Sequence, residues 1–124
     1  MPVIRIDILE GHSDDYVHQL LEGVHVAMVD AFEVPVRDRY QVLSEHKPGR
    51  LVMEDTGLNI PRTAKQTLIS ISSRGRTESA KVKFYRRVCE ELLARCSIEP
   101  SDVMVSITQI RMRTGASAGD GLSF

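Results

Sequence analysis

Tryptophan is missing from this chain, and three Tyr and three Phe are its only aromatics. With 42% hydrophobic residues, its core must therefore be aliphatic, built from Val, Ile, Leu and Met. Long apolar runs are missing too: nothing approaches the roughly 20 residues of a membrane-spanning helix. The opening stretch, MPVIRIDILEGHSDD, carries acidic groups and lacks the basic start and apolar run of a secretory signal. Charge is nearly balanced at a net -1, which leaves no basic stripe to displace counterions from nucleic acid. Cysteine is scarce, with Cys89 and Cys96 alone. Lying seven apart in a helical stretch, they share a face two turns apart, too distant along the axis for a disulfide. They read as buried thiols of a reducing cytoplasm.

Several catalytic and metal patterns are also lacking. His12, His18, His25 and His46 do not fall at metal-ligand spacing with cysteines or carboxylates. His18 and His25, seven apart, read as one partly solvated helix face. No Ser/His/Asp or Cys/His motif occurs. The glycine-rich stretch Gly115 to Gly121 lacks the Lys-Ser/Thr ending of a phosphate-binding loop, and reads as a flexible tail.

What is present is one unit written twice. Val3 to Leu9 alternates as a strand with Ile4, Ile6 and Ile8 on one face. Ser13 caps a helix with Asp14 and Asp15 in its first turn, running to about Phe32 on Val17, Leu20, Leu21, Val24, Met28 and Phe32. Pro35 stops it. Tyr40 to about Glu45 is a second strand, and Leu51 to Met53 a candidate short return strand. The order then recurs: a strand at Thr67 to Ser72, and an N-cap at Thr77. A helix follows to about Arg95 with Val82, Tyr85, Val88, Leu92 and Cys96 on one side, then a turn at Pro100 to Asp102 and a strand at Val103 to Ile107.

A shift of 64 residues lays Gly11 on Gly75, Ser13 on Thr77, Val24 on Val88 and Asp38 on Asp102. Each half is a β-α-β unit with parallel strands. The 124 residues fit one domain, with repeat units at about 2–46 and 66–109 and a tail from about 110 to 124. The expected architecture is α+β: a four-stranded mixed sheet with both helices on one face. The other sheet face, read as aliphatic, is then uncovered, which predicts an oligomer. A ferredoxin-like sandwich would show the same element order.

Three places carry chemistry. A small residue at position two permits removal of Met1, leaving Pro2 as a free secondary amine at a strand start. Its ordinary pKa lies near about 8, and burial or nearby cations lower it, so it can serve as base, acid or nucleophile. Proline is roughly one residue in twenty, so Pro2 alone is weak. Arg74 and Arg76 flank Gly75, which lets the backbone turn between a strand end and a helix start. Two cations there oppose the helix dipole unless an anion such as a carboxylate sits between them; a solvated basic loop is the equal alternative. Asp38 and Asp102 occupy equivalent turns, where capping is the ordinary role of Asp; Asp102 is read so.

A processed Pro2 opening a strand, two pseudo-symmetric β-α-β units and an Arg pair together resemble the tautomerase superfamily, and within it the malonate semialdehyde decarboxylases. The likeness spans about residues 2 to 107. Its strings are Asp7-Ile8-Leu9-Glu10-Gly11, Ala27-Met28-Val29-Asp30-Ala31-Phe32, Val34-Pro35-Val36-Arg37-Asp38-Arg39-Tyr40-Gln41, Glu54-Asp55-Thr56-Gly57-Leu58 and Ser73-Arg74-Gly75-Arg76-Thr77. The resemblance implies that Pro2, Asp38, Arg74 and Arg76 form an active site, with Arg74 and Arg76 holding a small carboxylate substrate. It implies a homotrimer whose packed sheets bury the open face, no metal and no cofactor, and decarboxylation of 3-oxopropanoate. A tautomerase or hydratase could use the same residues, and a trimeric binding protein could retain the fold without catalysis. The aromatic, Trp-bearing C-terminal wall of those decarboxylases has no counterpart in residues 108 to 124 beyond Phe124.

Overall fold

The computed structural model of the protein describes residues 2–110. Its elements run β1 (Val3–Leu9), α1 (Asp14–Phe32), β2 (Gln41–His46), β3 (Thr67–Ser73), α2 (Glu78–Cys96), a 3-10 turn (Pro100–Asp102) and β4 (Val103–Gln109). Leu51 to Met53 form no strand. The Leu51 carbonyl accepts from the Gln66 amide side chain at 2.8 Å, and three residues after a Pro-Gly turn supply no alternating face to bury.

Local chemistry explains where the helices begin and end. Ser13 and Thr77 have nearly the same extended backbone, and each hydroxyl accepts a backbone N–H three residues on, at 3.1 Å. Glu33 (φ 54) and Ser97 (φ 55) end the helices in the left-handed conformation, returning their N–H groups to the last-turn carbonyls. Between α1 and α2, and between β1 and β3, both ends are displaced by the same 64 residues. The duplication legible in the sequence is therefore a duplication of structure.

The sheet order is β2-β1-β3-β4. Pairing is parallel within each unit and antiparallel between β1 and β3. Both helices cover one face, burying Ile4, Ile6 and Ile8 of β1 against Ile69 and Ile71 of β3. From α2 the buried stripe is Phe84, Val88, Leu92 and Cys96. Val82 and Tyr85, expected on that side, are instead 66% and 44% exposed. At about 100° per residue, a stripe through Val88 and Leu92 passes through Phe84 and leaves Val82 a third of a turn away. Val82 and Tyr85 line a shallow cavity of about 300 Å³ with Lys81, Val105 and Ile107.

The uncovered face also differs from expectation. It is mixed rather than purely aliphatic: Arg5, Ser70 and Ser106 share a level with Val42, Asp7 pairs with His46 at 2.7 Å, and Val3, Leu9, Leu68 and Met104 lie on the same face. The isoleucines of β1 and β3 are all spent on the helix-facing side. Cys89 and Cys96 are free and buried, and burial pushes both thiols up in pKa. Among the described residues no helix is long and apolar enough to cross a membrane.

The helices meet closely at Gly23, where an added Cβ would lie 3.2 Å from the Leu92 and Arg95 side chains. Gly23→Val is expected to lower unfolding free energy by about 1–3 kcal/mol through overpacking. Urea denaturation of the purified variant checks this.

Candidate active site

Strand direction decides what meets at each end of the sheet. Because β1 and β3 run oppositely, the start of β1 lies beside the end of β3: Val3 pairs with Ser72, which puts Pro2 at the level of Ser73. Because β1 and β2 are parallel, the start of β2 lies on the other flank. The Ile4 N–H donates to the Tyr40 carbonyl at 2.9 Å, and the chain leading in carries Asp38. The end of β4 closes the row, with Ile110 N–H donating to the Ser73 carbonyl at 2.7 Å. Pro2, Asp38, Arg74 and Arg76 are thus gathered at one end of the sheet, with buried Pro2 immediately before β1, one of the two central strands.

Arg76 is the best defined of the cations. Its Nε donates to the Ser73 hydroxyl at 3.1 Å, and its guanidinium lies 5.1 Å from the centroid of Phe32. Phe32 is the last residue of α1, whose own last turn carries no basic residue. Arg76 therefore brings a cation to the negative end of the α1 dipole, which offsets its unfavourable place before α2. Among the described residues, no side-chain or backbone acceptor takes its remaining Nη groups, nor the guanidinium of Arg74. Arg74 is exposed at the bend after β3. A carboxylate would find two guanidinium forks there.

Gly75 has a different role from the one its place suggested. Its φ is not positive, and a Cβ there would touch only the Gln109 side chain, at an ordinary 3.8 Å. The positive φ belongs to its counterpart Gly11, at +109°. The turn after β3 is made at Arg74.

The string around Asp38 is tied to α1. Asp38 N–H closes a turn onto the Pro35 carbonyl at 2.9 Å. The His25 ring Nε2 lies 2.7 Å from the Val36 carbonyl, and Gln41 Nε2 donates to the Leu21 carbonyl at 2.9 Å. Arg39 pairs with Glu22, and its Nε donates to Gln41 at 2.9 Å. His25 is buried at 5% exposure while His18 is exposed, so the two do not share a solvated face. Residues on α1 seven apart drift by about 20°, and α1 meets the 35–38 turn only near its C-terminal half. Ser73, Phe32 and His25 are the site neighbours that reading the sequence overlooked. Phe32 and Ser73 carried a signal, as the end of the Ala27–Phe32 string and the start of the Ser73–Thr77 string; His25 carried none.

Asp102 has the structural role expected of it, with an unexpected partner. Only 1% exposed, it accepts from the Thr63 N–H at 2.7 Å and the Thr63 hydroxyl at 2.5 Å, pinning the long loop before β3. Among the described residues no cluster of three His, Cys, Asp or Glu is placed to hold a metal ion. Met1 and the aromatic-poor tail, residues 111–124, lie outside the described residues.

Two family profiles, both described as tautomerase enzyme, match residues 2–59 and 38–113. This chain belongs to the tautomerase family. The chain is 40% identical over 109 residues to the probable tautomerase YrdN of Bacillus subtilis, covering 88% of this chain and 84% of the relative. Its fold matches malonate semialdehyde decarboxylase, solved in wild-type, mutant and inactivated forms, with a TM-score of 0.85 and 42% identity over 87% and 84% of the two chains. A second such decarboxylase, FG41, solved with 3-bromopropiolate as inhibitor, matches with a TM-score of 0.82 and 32% identity over 87% and 82%.

The Arg39 hydrogen bond holds the Glu22 carboxyl below the ordinary carboxylate range, against the opposing effect of its partial burial. A depressed carboxyl contributes stability above its unfolded pKa and loses it as pH falls through the folded one. Titration by carbon-13 NMR is expected to give Glu22 a low midpoint, which Arg39→Gln returns toward the ordinary value. Asp102→Ala strips Thr63 of both acceptors and is expected to cost about 2–3 kcal/mol in denaturant unfolding.

Proposed function

We propose that this member of the tautomerase family decarboxylates malonate semialdehyde (3-oxopropanoate) to acetaldehyde and carbon dioxide, using the amine of Pro2 freed by loss of Met1. The observation that carries the reading is the convergence of Pro2, Asp38, Arg74 and Arg76 at one sheet end, set by antiparallel β1–β3 pairing. Similarity to two malonate semialdehyde decarboxylases across most of both chains supports the same reaction.

Arg74 and Arg76 hold the carboxylate and keep its breaking carbon-carbon bond aligned with the carbonyl π system. The bond's electron pair passes to the α-carbon and on to the aldehyde oxygen. An ammonium at Pro2 stabilises it by a hydrogen bond to that oxygen. Alternatively, neutral Pro2 first condenses with the aldehyde, releasing water; the pair then passes to the iminium nitrogen, and water finally hydrolyses the product iminium to free acetaldehyde and the amine. In either route a proton returns to the α-carbon. Asp38 favours the cationic amine through its opposite charge, while the two arginines oppose it. No step calls for a metal or cofactor. Grip on the carboxylate alone does not accelerate release of neutral carbon dioxide, so the charge at Pro2 does the catalytic work.

One observation favours a second reading. The relative YrdN is a probable tautomerase at nearly the same identity, and the first decarboxylase structure bears on decarboxylase and hydratase activities together. Enol-keto tautomerisation of 2-oxo acids, or hydration of unsaturated acids, would use the same four residues. A homotrimer burying the uncovered sheet face is part of the proposal, and a sedimentation mass of three chains is its expected signature.

Intact mass is expected to show Met1 removed; its retention would instead favour a binding protein. Processed enzyme is expected to release carbon dioxide from malonate semialdehyde, with Pro2→Ala reduced at least about 100-fold and Arg76→Ala losing carboxylate recognition while staying folded. Borohydride trapping of a covalent adduct on Pro2 selects the iminium route. Absence of carbon dioxide release above background transfers the assignment to tautomerisation of 2-oxo acids.

A further inference from the structure

The residues that lead into Asp38 have little burial to hold them. Pro35, Val36 and Arg37 are exposed, Val36 to 68%, so no apolar packing anchors them. Val34 before the turn is buried, and Arg39 and Gln41 beyond Asp38 are tied to α1. What ties the exposed stretch to the helix layer is the 2.7 Å contact of His25 Nε2 with the Val36 carbonyl. A carbonyl can only accept, so the ring carries its hydrogen on Nε2 and donates. An imidazole buried to this degree costs free energy unless it is bonded. A leucine would satisfy the packing around it equally well, so the bond is what a histidine adds there.

We propose that His25 is a positioning residue: by donating to the Val36 carbonyl it fixes the Pro35–Asp38 turn and thereby sets the distance from Asp38 to the Pro2 amine. This rests on the reading of Asp38 and Pro2 given above. His25 itself, buried within the helix layer, does not touch substrate. Asp38 lies between the tie at Val36 and the tie at Arg39, so loosening the first displaces the backbone that carries the carboxylate. Charge coupling to Pro2 then falls, while Arg74 and Arg76, carried by the segment after β3, stay in place. Turnover is lost and substrate binding is kept.

The test uses full-length enzyme with Met1 removed. His25→Gln keeps an N–H near the position of Nε2, and His25→Leu keeps bulk without a donor. Asp38→Asn is the reference. The first readout is titration of the Pro2 amine by nitrogen-15 NMR, which needs no substrate and so does not depend on which reaction the enzyme performs. Asp38→Asn is expected to lower the amine midpoint by about one pH unit. His25→Leu is expected to lower it in the same direction and to cut kcat about tenfold with little change in KM. His25→Gln restores both, and His25→Leu adds nothing further in the Asp38→Asn background. The proposal is overturned if Asp38→Asn moves the midpoint and His25→Leu does not. It is also overturned if the Leu and Gln variants lose turnover equally, in step with their melting temperatures. An Asp38→Asn variant with unchanged midpoint and turnover removes Asp38 from the site, and the role of His25 with it.

Discussion

The antiparallel hydrogen bonding of β1 to β3 is the constraint on which the rest depends. Each half is a strand-helix-strand crossover whose two strands must run parallel. Joining the halves through their first strands can be done in two directions. In the direction adopted, the beginning of one half meets the end of the other half's first strand. The opposite choice would carry the Arg74–Arg76 segment to the far end of a seven-residue strand, about 23 Å from Pro2. Topology here does more for the site than any single contact. The residues are separated by more than seventy positions in the chain and brought together by the direction of one ladder.

Helix placement settles the electrostatics. With both helices on the same sheet face, the C-terminus of α1 and the N-terminus of α2 come together over the site end, where Ala31 and Glu33 line one cavity with Thr77 and Ala80. A cation placed there feels the α1 carbonyls, and an anion feels the α2 amides. Arg76, stacked on Phe32 and bonded to Ser73, occupies the first position and leaves donors for an anion at the second. This is why a basic pair before a helix start is not a liability in this fold.

What the sequence disclosed was local. Caps, strand alternation and the duplication all come from residues acting on their near neighbours, and the helix starts at Ser13 and Thr77 appear in the structure where side-chain chemistry puts them. What it withheld needed a second element. Whether Val82 or Phe84 faces inward is decided by where the sheet lies, because both fit a helical stripe of some orientation. The mixed character of the open face followed from assigning the isoleucines to one side, leaving Arg5, Asp7 and the serines on the other with Val3, Leu9, Val42, Leu68 and Met104. His25 looked like half of a surface pair because its partner is a carbonyl, which has no sequence signature. Pro2, Asp38, Arg74 and Arg76 were each legible as residues. Their meeting was legible only through the family resemblance, since alternation does not encode the direction in which two ladders join.

The 64-residue correspondence has an implication for the opposite end of the sheet. Under it the pairs Ile6–Ile69 and Arg5–Ser70 exchange with one another, so the molecule has an approximate internal dyad. That dyad carries the Pro2 position onto Gln66 and the Asp38 position onto Asp102. The pseudo-symmetric counterpart of the site position therefore stands where the first unit's strand ends. It has no free amine, because Gln66 is joined to Lys65 by a peptide bond, and its aspartate is committed to Thr63. Under the proposed loss of Met1, covalent continuity makes the molecule one-sided: of the two related positions, only the one at the chain's beginning gains a nitrogen with a lone pair to offer.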